Sequence, residues 1–246
     1  MIIRKLRNFS LKRFILFGSL VPMLSIHADI NPVVTSQENS ELSFEREHKD
    51  QLENFVFLIK YVTLPDESAI HSTASGIIIS STKSHAFILT ANHFCQSEDA
   101  ILFPTEIGVY IGENLRLGQI IHADKENDLC LIGGIKYKDE KFKNIKLAKK
   151  MPPIGEFVFN VAAPNSMGSP NTRLLFDGHF GGCEEMCVYT IPATFGSSGS
   201  AVFNKKGELI SILVMATPDF ENVGIGPDIY NIRKFINEIE KMMDIK

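Results

Sequence analysis

Three serines and two glycines crowd into FGSSGSAVF, Phe195 to Phe203, just ahead of an apolar run. Small residues clustered in this way are ordinarily a flexible turn. They also suit a serine nucleophile, because glycine keeps the backbone clear and lets N–H groups converge on a developing oxyanion. A serine hydroxyl is a weak nucleophile until a neighbouring base takes its proton. Two other stretches offer partners. In AFILTANHFC, Ala86 to Cys95, an apolar strand pattern runs out into a turn that presents His93, and imidazole titrates near neutrality. In NDLCLI, Asn127 to Ile132, Asp128 opens a run whose alternate residues Leu129 and Leu131 are apolar. Each pattern is weak alone: a histidine at a strand end is most often a polar surface residue, and an aspartate there is usually a turn residue. Together they place imidazole, carboxylate and hydroxyl at three strand-to-loop boundaries, in the order His, Asp, Ser.

The elements that must carry these groups read as strands. From Asn54 onward, NFVFLIKYVT, ASGIIIS, HAFILTA, IGVYIG, LGQIIHAD and DLCLIGG are short and rich in Val, Ile, Phe and Tyr, with turn residues between them. A lysine-rich connection from Tyr137 to Pro153 forms a seam. Beyond it EFVFNVAAP, TRLLFDGHF, MCVYTIP, SAVFN, ELISILVMA and NVGIG again read as strands. Ile229, Ile232, Ile236, Ile239 and Met243 then recur at helical spacing behind Asp228 as N-cap. The expected fold is all-β, two packed six-stranded antiparallel β-barrels with a C-terminal α-helix; a single large sandwich is the alternative. The expected divisions are an N-terminal segment 29–53 with a short helix near Glu41 to Glu53, a first barrel 54–150 carrying His93 and Asp128, and a second barrel 151–246 carrying Ser198.

The 246 residues are 44% hydrophobic and 22% charged, ordinary for a globular chain with a sizeable core. Arg4, Lys5, Arg7, Lys12 and Arg13 precede an apolar run from Phe14 to Ile26, and Ala28 stands at its polar boundary. Residues 1–28 therefore read as a secretory signal peptide; the alternative is an uncleaved anchor, although the run is short of the ~20 residues a span needs. No later stretch is long enough to span a membrane. Removal of residues 1–28 takes away five positive charges and no negative one, moving the formal charge from -4 to -9. So acidic a domain does not fit nucleic acid, whose binding rests on phosphate neutralisation. Localisation outside the cytoplasm, periplasmic or extracellular, also sets the reading of Cys95, Cys130, Cys183 and Cys187: disulfides persist there, and four cysteines allow three connectivities.

TANHFC, DLCLI and GSSGSAVFNKKGELISI resemble the three signature regions of the trypsin-like serine peptidases, closest to the HtrA/Deg and V8-like glutamyl-endopeptidase branch. Around the nucleophile the match runs through Gly196, Ser198, Gly199, Ser200, Val202, Asn204, Gly207, Glu208, Leu209 and Ile210. The resemblance covers roughly residues 54–244. It implies that Ser198 is the nucleophile, His93 the base and then acid, Asp128 the group that orients the imidazole, and the N–H groups of Gly196 and Ser198 an oxyanion hole. Ser197 stands where many animal digestive relatives carry the Asp that pairs with a new N-terminus, so no such switch is expected.

Counting back from Ser198, the specificity-pocket positions of the family fall near Pro192 and Ala193, with Leu213 and Met215 on the facing strand. None is charged, which implies an apolar substrate residue, small to medium, before the cleaved bond. With the catalytic groups assembled, Cys95–Cys130 would tie His93 to Asp128 and Cys183–Cys187 would close a small loop; buried free thiols at 95 and 130 are the alternative. His48, His71, His85, His122 and His179 carry no partner pattern and read as surface or loop residues. Protein or peptide substrates are the implied partners, with no metal or other cofactor; oligomeric state is not legible. HtrA proteins usually continue into a PDZ domain, whereas this chain ends at Lys246 after the closing helix, and no appended regulatory domain is expected. A silent binding module on the same fold is the competing function. A lipase or esterase is disfavoured by the His, Asp, Ser order and the strand flanks.

Overall fold

Residues 54–136 build β1 (Phe55–Thr63), β2 (Ala69–Ser81), β3 (His85–Ala91), β4 (Thr105–Ile111), β5 (Asn114–Asp124) and β6 (Leu129–Lys136) in the computed structural model, which describes residues 47–63, 69–82, 85–96, 105–136, 142–164, 172–217 and 220–242. All pairings are antiparallel and close a barrel in the order β1-β2-β3-β6-β5-β4. Alternation explains the dense apolar runs of β3 and β6. Ala86, Ile88, Cys130 and Ile132 point into the barrel, while Leu89, Ala91, Leu129 and Leu131 join a second core shared with the rest of the chain. Strands covered on both faces need apolar residues at every position. The expected signal segment 1–28 and the start of the 29–53 segment lie outside the described residues.

The second half contains β7 (Phe157–Ala162), β8 (Leu174–Cys183), β9 (Cys187–Tyr189), β10 (Ala201–Asn204), β11 (Leu209–Ile212), β12 (Met215–Thr217) and β13 (Phe220–Gly226). They form a seven-stranded half-barrel sheet, in the order β11-β10-β7-β8-β9-β13-β12. The two-barrel architecture is therefore present, with one strand more than expected in this half. The extra strand arises because ELISILVMA is not continuous. At Leu213 the backbone turns to the serine loop, accepting from Gly199 N–H (2.7 Å) and donating to the Ser200 carbonyl (2.8 Å), and Val214 N–H then donates to the Ile225 carbonyl (2.9 Å). The interruption thus fixes one wall of the site.

Three short pieces bind the halves. Helix α1 (Lys49–Glu53) donates from Gln51 Nε2 to the Gly207 carbonyl (2.7 Å), and the Asn54 amide after it reaches the carbonyls of Ile78 (2.7 Å) and Lys143 (2.6 Å). The connection donates from Ile145 N–H to the Ile79 carbonyl (3.1 Å) and accepts at the Lys146 carbonyl from Leu209 N–H (2.8 Å). The closing helix, Ile229–Met242, begins as read: Asn231 N–H donates to Asp228 Oδ1 (2.8 Å). It buries Ile229, Ile232, Phe235 and Ile239, and Arg233 caps the carbonyls of Leu147 and Ala148. All described residues fall in one compact unit. Among them no helix is long and apolar enough to cross a membrane.

Candidate active site

The β3–β6 register pairs Ala91 with Leu129, so the residues just beyond each strand end meet at one edge of the closed barrel. On one side is helix α2 (Asn92–Cys95), which carries His93; on the other is the turn ending in Asp128. Asp128 has φ +53°, the one left-handed non-glycine among the described residues. Aspartate tolerates that region better than bulky residues do. In this conformation the Asp128 carbonyl accepts from Asn92 N–H (3.0 Å), and its carboxylate accepts from His93 N–H (2.7 Å) and meets His93 Nδ1 (2.6 Å). The preceding Asp124 braces the turn by accepting from the backbone of Glu126 (2.9 Å) and from the side-chain amide of Asn127 (2.7 Å). Burial opposes ionisation of Asp124, but these hydrogen bonds and nearby Lys234 outweigh it and hold its carboxyl below the usual range.

An ionised carboxylate only accepts, so the Asp128 contact puts the imidazole proton on Nδ1 and leaves Nε2 as an acceptor. Ser198 Oγ lies 2.8 Å from that nitrogen. The three groups singled out in the sequence thus form one line: carboxylate, imidazole, hydroxyl.

Ser198 is held by the opposite half. Ser75 N–H donates to the Ser198 carbonyl (2.8 Å), and Ser75 Oγ donates to the Gly196 carbonyl (2.8 Å) while accepting from Ala163 N–H (3.0 Å). Thr90 Oγ1 in turn donates to the Ser75 carbonyl (2.8 Å). Gly196 has φ +88° and Gly199 +82°, and a Cβ on Gly199 would run into Thr90 Oγ1 and the Ser75 carbonyl. The glycines are therefore required by handedness and by close approach of the two halves. Among the described residues, neither Gly196 N–H nor Ser198 N–H makes an internal hydrogen bond. Ser197 is buried, accepting at Oγ from Thr194 N–H (3.3 Å), and Ser200 Oγ accepts from Asn160 Nδ2 (2.5 Å), so both are structural.

Beside Ser198 lies a cavity of about 560 Å³. Ala193, Leu213 and Met215 line it as the count along the chain anticipates, with Val214 and Ala216 beside them. Pro192 does not line it; the half-buried proline precedes the segment that turns into the cleft. The exposed ring of Phe195 stands at the rim and was not anticipated.

Cys95 is bonded to Cys130 and Cys183 to Cys187, the pairing the resemblance implied. One histidine departs from a surface reading. His48 is buried against Phe159, with ring centroids 4.6 Å apart, and burial lowers its pKa although Glu47 opposes this. His71 is exposed, as read, and lines a second cavity that also touches Ser198. A signal for the missed Asn160 was present, since it is a lone polar residue inside the apolar run FVFNVA, where burial demands a partner; Ser75 follows His71, Ser72 and Thr73, and Thr90 stands two residues before Asn92, so neither is marked in the same way.

Comparison with known proteins bears on the family and the fold. The sequence model of the family described as trypsin-like peptidase domain matches residues 74–212, more than half of the chain. A protein of Buchnera aphidicola subsp. Schizaphis graminum, described as a probable periplasmic serine endoprotease DegP-like, is 29% identical over 169 residues, 63% of this chain. The chain spans about a third (32%) of that relative's length. A crystal structure of the serine endoprotease from Yersinia pestis superposes with a TM-score of 0.62 at 19% identity, covering 80% of this chain and 66% of that one.

Proposed function

This chain belongs to the trypsin-like peptidase domain family, and we propose that it acts as an exported serine endopeptidase in which His93, Asp128 and Ser198 carry the chemistry. The observation that carries this reading is the unbroken line of hydrogen bonds from Asp128 through His93 to Ser198 Oγ. In the first step Ser198 Oγ attacks the substrate carbonyl carbon and its proton passes to His93 Nε2, while Asp128 stabilises the imidazolium from Nδ1. The negative charge that develops on the carbonyl oxygen is taken up by the N–H groups of Gly196 and Ser198, each of which would contribute on the order of 3 kcal/mol. Nε2 then returns the proton to the leaving amine, and water, activated by the same imidazole, releases the acyl group.

The apolar cavity beside Ser198 favours a small to medium apolar side chain at the residue before the cleaved bond. Two disulfides are compatible with export to an oxidising compartment, as is the periplasmic description of the Buchnera relative. Residues 1–28 then serve as the export signal, and the two halves, 54–150 and 151–246, divide the catalytic groups between them. A silent binding module would not need three reactive groups within hydrogen-bond reach.

The test is hydrolysis of internally quenched peptides that differ only at the residue before the cleaved bond. Val, Ala or Leu there should be cleaved at least about tenfold faster than Arg or Glu, with no turnover by Ser198→Ala. A preference for Arg or Glu would overturn the apolar pocket.

A further inference from the structure

A second cavity of about 460 Å³ shares His93, Phe195 and Ser198 with the apolar one, but apart from Gly196 its remaining lining comes from the first half of the chain, where that of the apolar cavity comes from the second. Lys60, His71 and Phe94 line it together with His93 and Ser198, and no carboxylate lines it among the described residues. Lys60 is the unusual member. It sits in β1 opposite Ser72, is only 7% exposed, and holds its ammonium 5.5 Å from the Phe94 ring centroid. Lysine is rarely this buried without a partner of opposite charge. Among the described residues none lies within ion-pair distance of it, and burial pushes its pKa below the usual lysine value. The ring face alone is a weak substitute for an anion. The cation is thus partly desolvated, and a cavity lies in front of it.

A peptide crossing Ser198 must place its acyl half on one side and its amine half on the other. If the apolar cavity takes the acyl half, as the reading above has it, the amine half crosses in front of Lys60. We infer that Lys60 makes this cavity a subsite for a carboxylate carried by the leaving-group side of the substrate. Two sources share that chemistry: an Asp or Glu side chain shortly after the cleaved bond, or the free C-terminus of a short leaving peptide. Lys60 touches substrate without taking part in bond making, so it determines specificity.

The test uses one acyl half with an apolar residue before the cleaved bond and four amine halves: Ala-Ala amide, Glu-Ala amide, Ala-Ala free acid and Lys-Ala amide. For the wild-type protein at least one anionic member should have a kcat/KM about tenfold above Ala-Ala amide, the order expected for a charged hydrogen bond, and Lys-Ala amide should fall below it. An advantage confined to Glu-Ala amide assigns the side chain as the source; one confined to the free acid assigns the terminus. In Lys60→Met and Lys60→Gln the anionic advantage should drop to about one, and Lys60→Arg should retain most of it. These are ratios within each protein, so a general loss of activity cancels, and either neutral variant suffices if the other fails to fold. Equal wild-type rates for neutral and anionic members, or an advantage undiminished in a neutral variant, would overturn the inference. Those results would leave the endopeptidase reading intact provided Ala-Ala amide is cleaved in a Ser198-dependent way. Absence of Ser198-dependent cleavage of every member would sink that reading and this inference with it.

Discussion

The two halves of the molecule hold their shares of the site differently. In the closed barrel, His93 and Asp128 sit at adjacent strand ends and are joined by two hydrogen bonds between them, a third from Asn92 and the Cys95–Cys130 disulfide. That pair needs nothing from the other half to be correctly aimed. In the half-barrel, Ser198 lies in a glycine-rich loop whose carbonyls are held by Ser75 of the closed barrel. The base is therefore preorganised within one half, whereas the nucleophile is positioned by contact between halves. Damage to the barrel edge should show as lost catalysis or lost stability of that half, and damage to the interface as a nucleophile out of place.

The largest effect should come from breaking the base pair within the closed barrel. Asp128→Asn presents a donor where Nδ1–H donates, favours the wrong tautomer, and should lower kcat about 10⁴-fold with little change in KM. Steady-state kinetics check this, and a loss below tenfold would contradict the preorganised pair. Next come the two disulfides. By chain entropy, loss of Cys95–Cys130, with sequence separation 35, should cost about 4 kcal/mol, and loss of Cys183–Cys187, with separation 4, about 2 kcal/mol. Urea unfolding of the paired Cys→Ser variants measures both, and equal costs would erase the contrast between halves.

Ser75→Ala probes the interface. It leaves the Ala163 N–H and the Gly196 carbonyl without their partner and should cost about 1–3 kcal/mol. Because that partner orients the serine loop, kcat should fall while the His93–Asp128 pair stays intact; a stability loss with unchanged kcat would contradict positioning from the opposite half.

The smallest effect is expected at a partly solvated ion pair, that of Glu208. Its ion pair with Lys146 (2.5 Å) and its hydrogen bond from Asn204 (3.0 Å) hold its carboxyl below the usual range. The folded pKa is depressed, so the contribution is complete above the unfolded value of about 4.3 and is lost as pH falls through the folded one. Lys146 is exposed, so the contribution should stay below about 1 kcal/mol. The stability gap between wild type and Glu208→Gln should accordingly close below about pH 4.

What the sequence made legible follows the same division. The strand ends bearing His93 and Asp128 were readable because alternation and turn residues mark them, and the closing helix because Asp228 caps an isoleucine stripe. The glycine–serine cluster announced Ser198. The break in ELISILVMA was not readable: nothing in nine mostly apolar residues says that Leu213 bonds to a loop rather than to a strand. Pro192 was misplaced by counting along a chain that turns. Ser75, Thr90 and the burial of Lys60 depend on contacts between residues distant in sequence, which periodicity does not encode.

The most direct measurement is labelling of the oxidised protein by a fluorophosphonate, with the adduct located by mass spectrometry. About one adduct per chain is expected, on Ser198, absent in Ser198→Ala and strongly slowed in His93→Ala. Equal labelling of wild type and Ser198→Ala, or an adduct on Ser197 or Ser200, would contradict it.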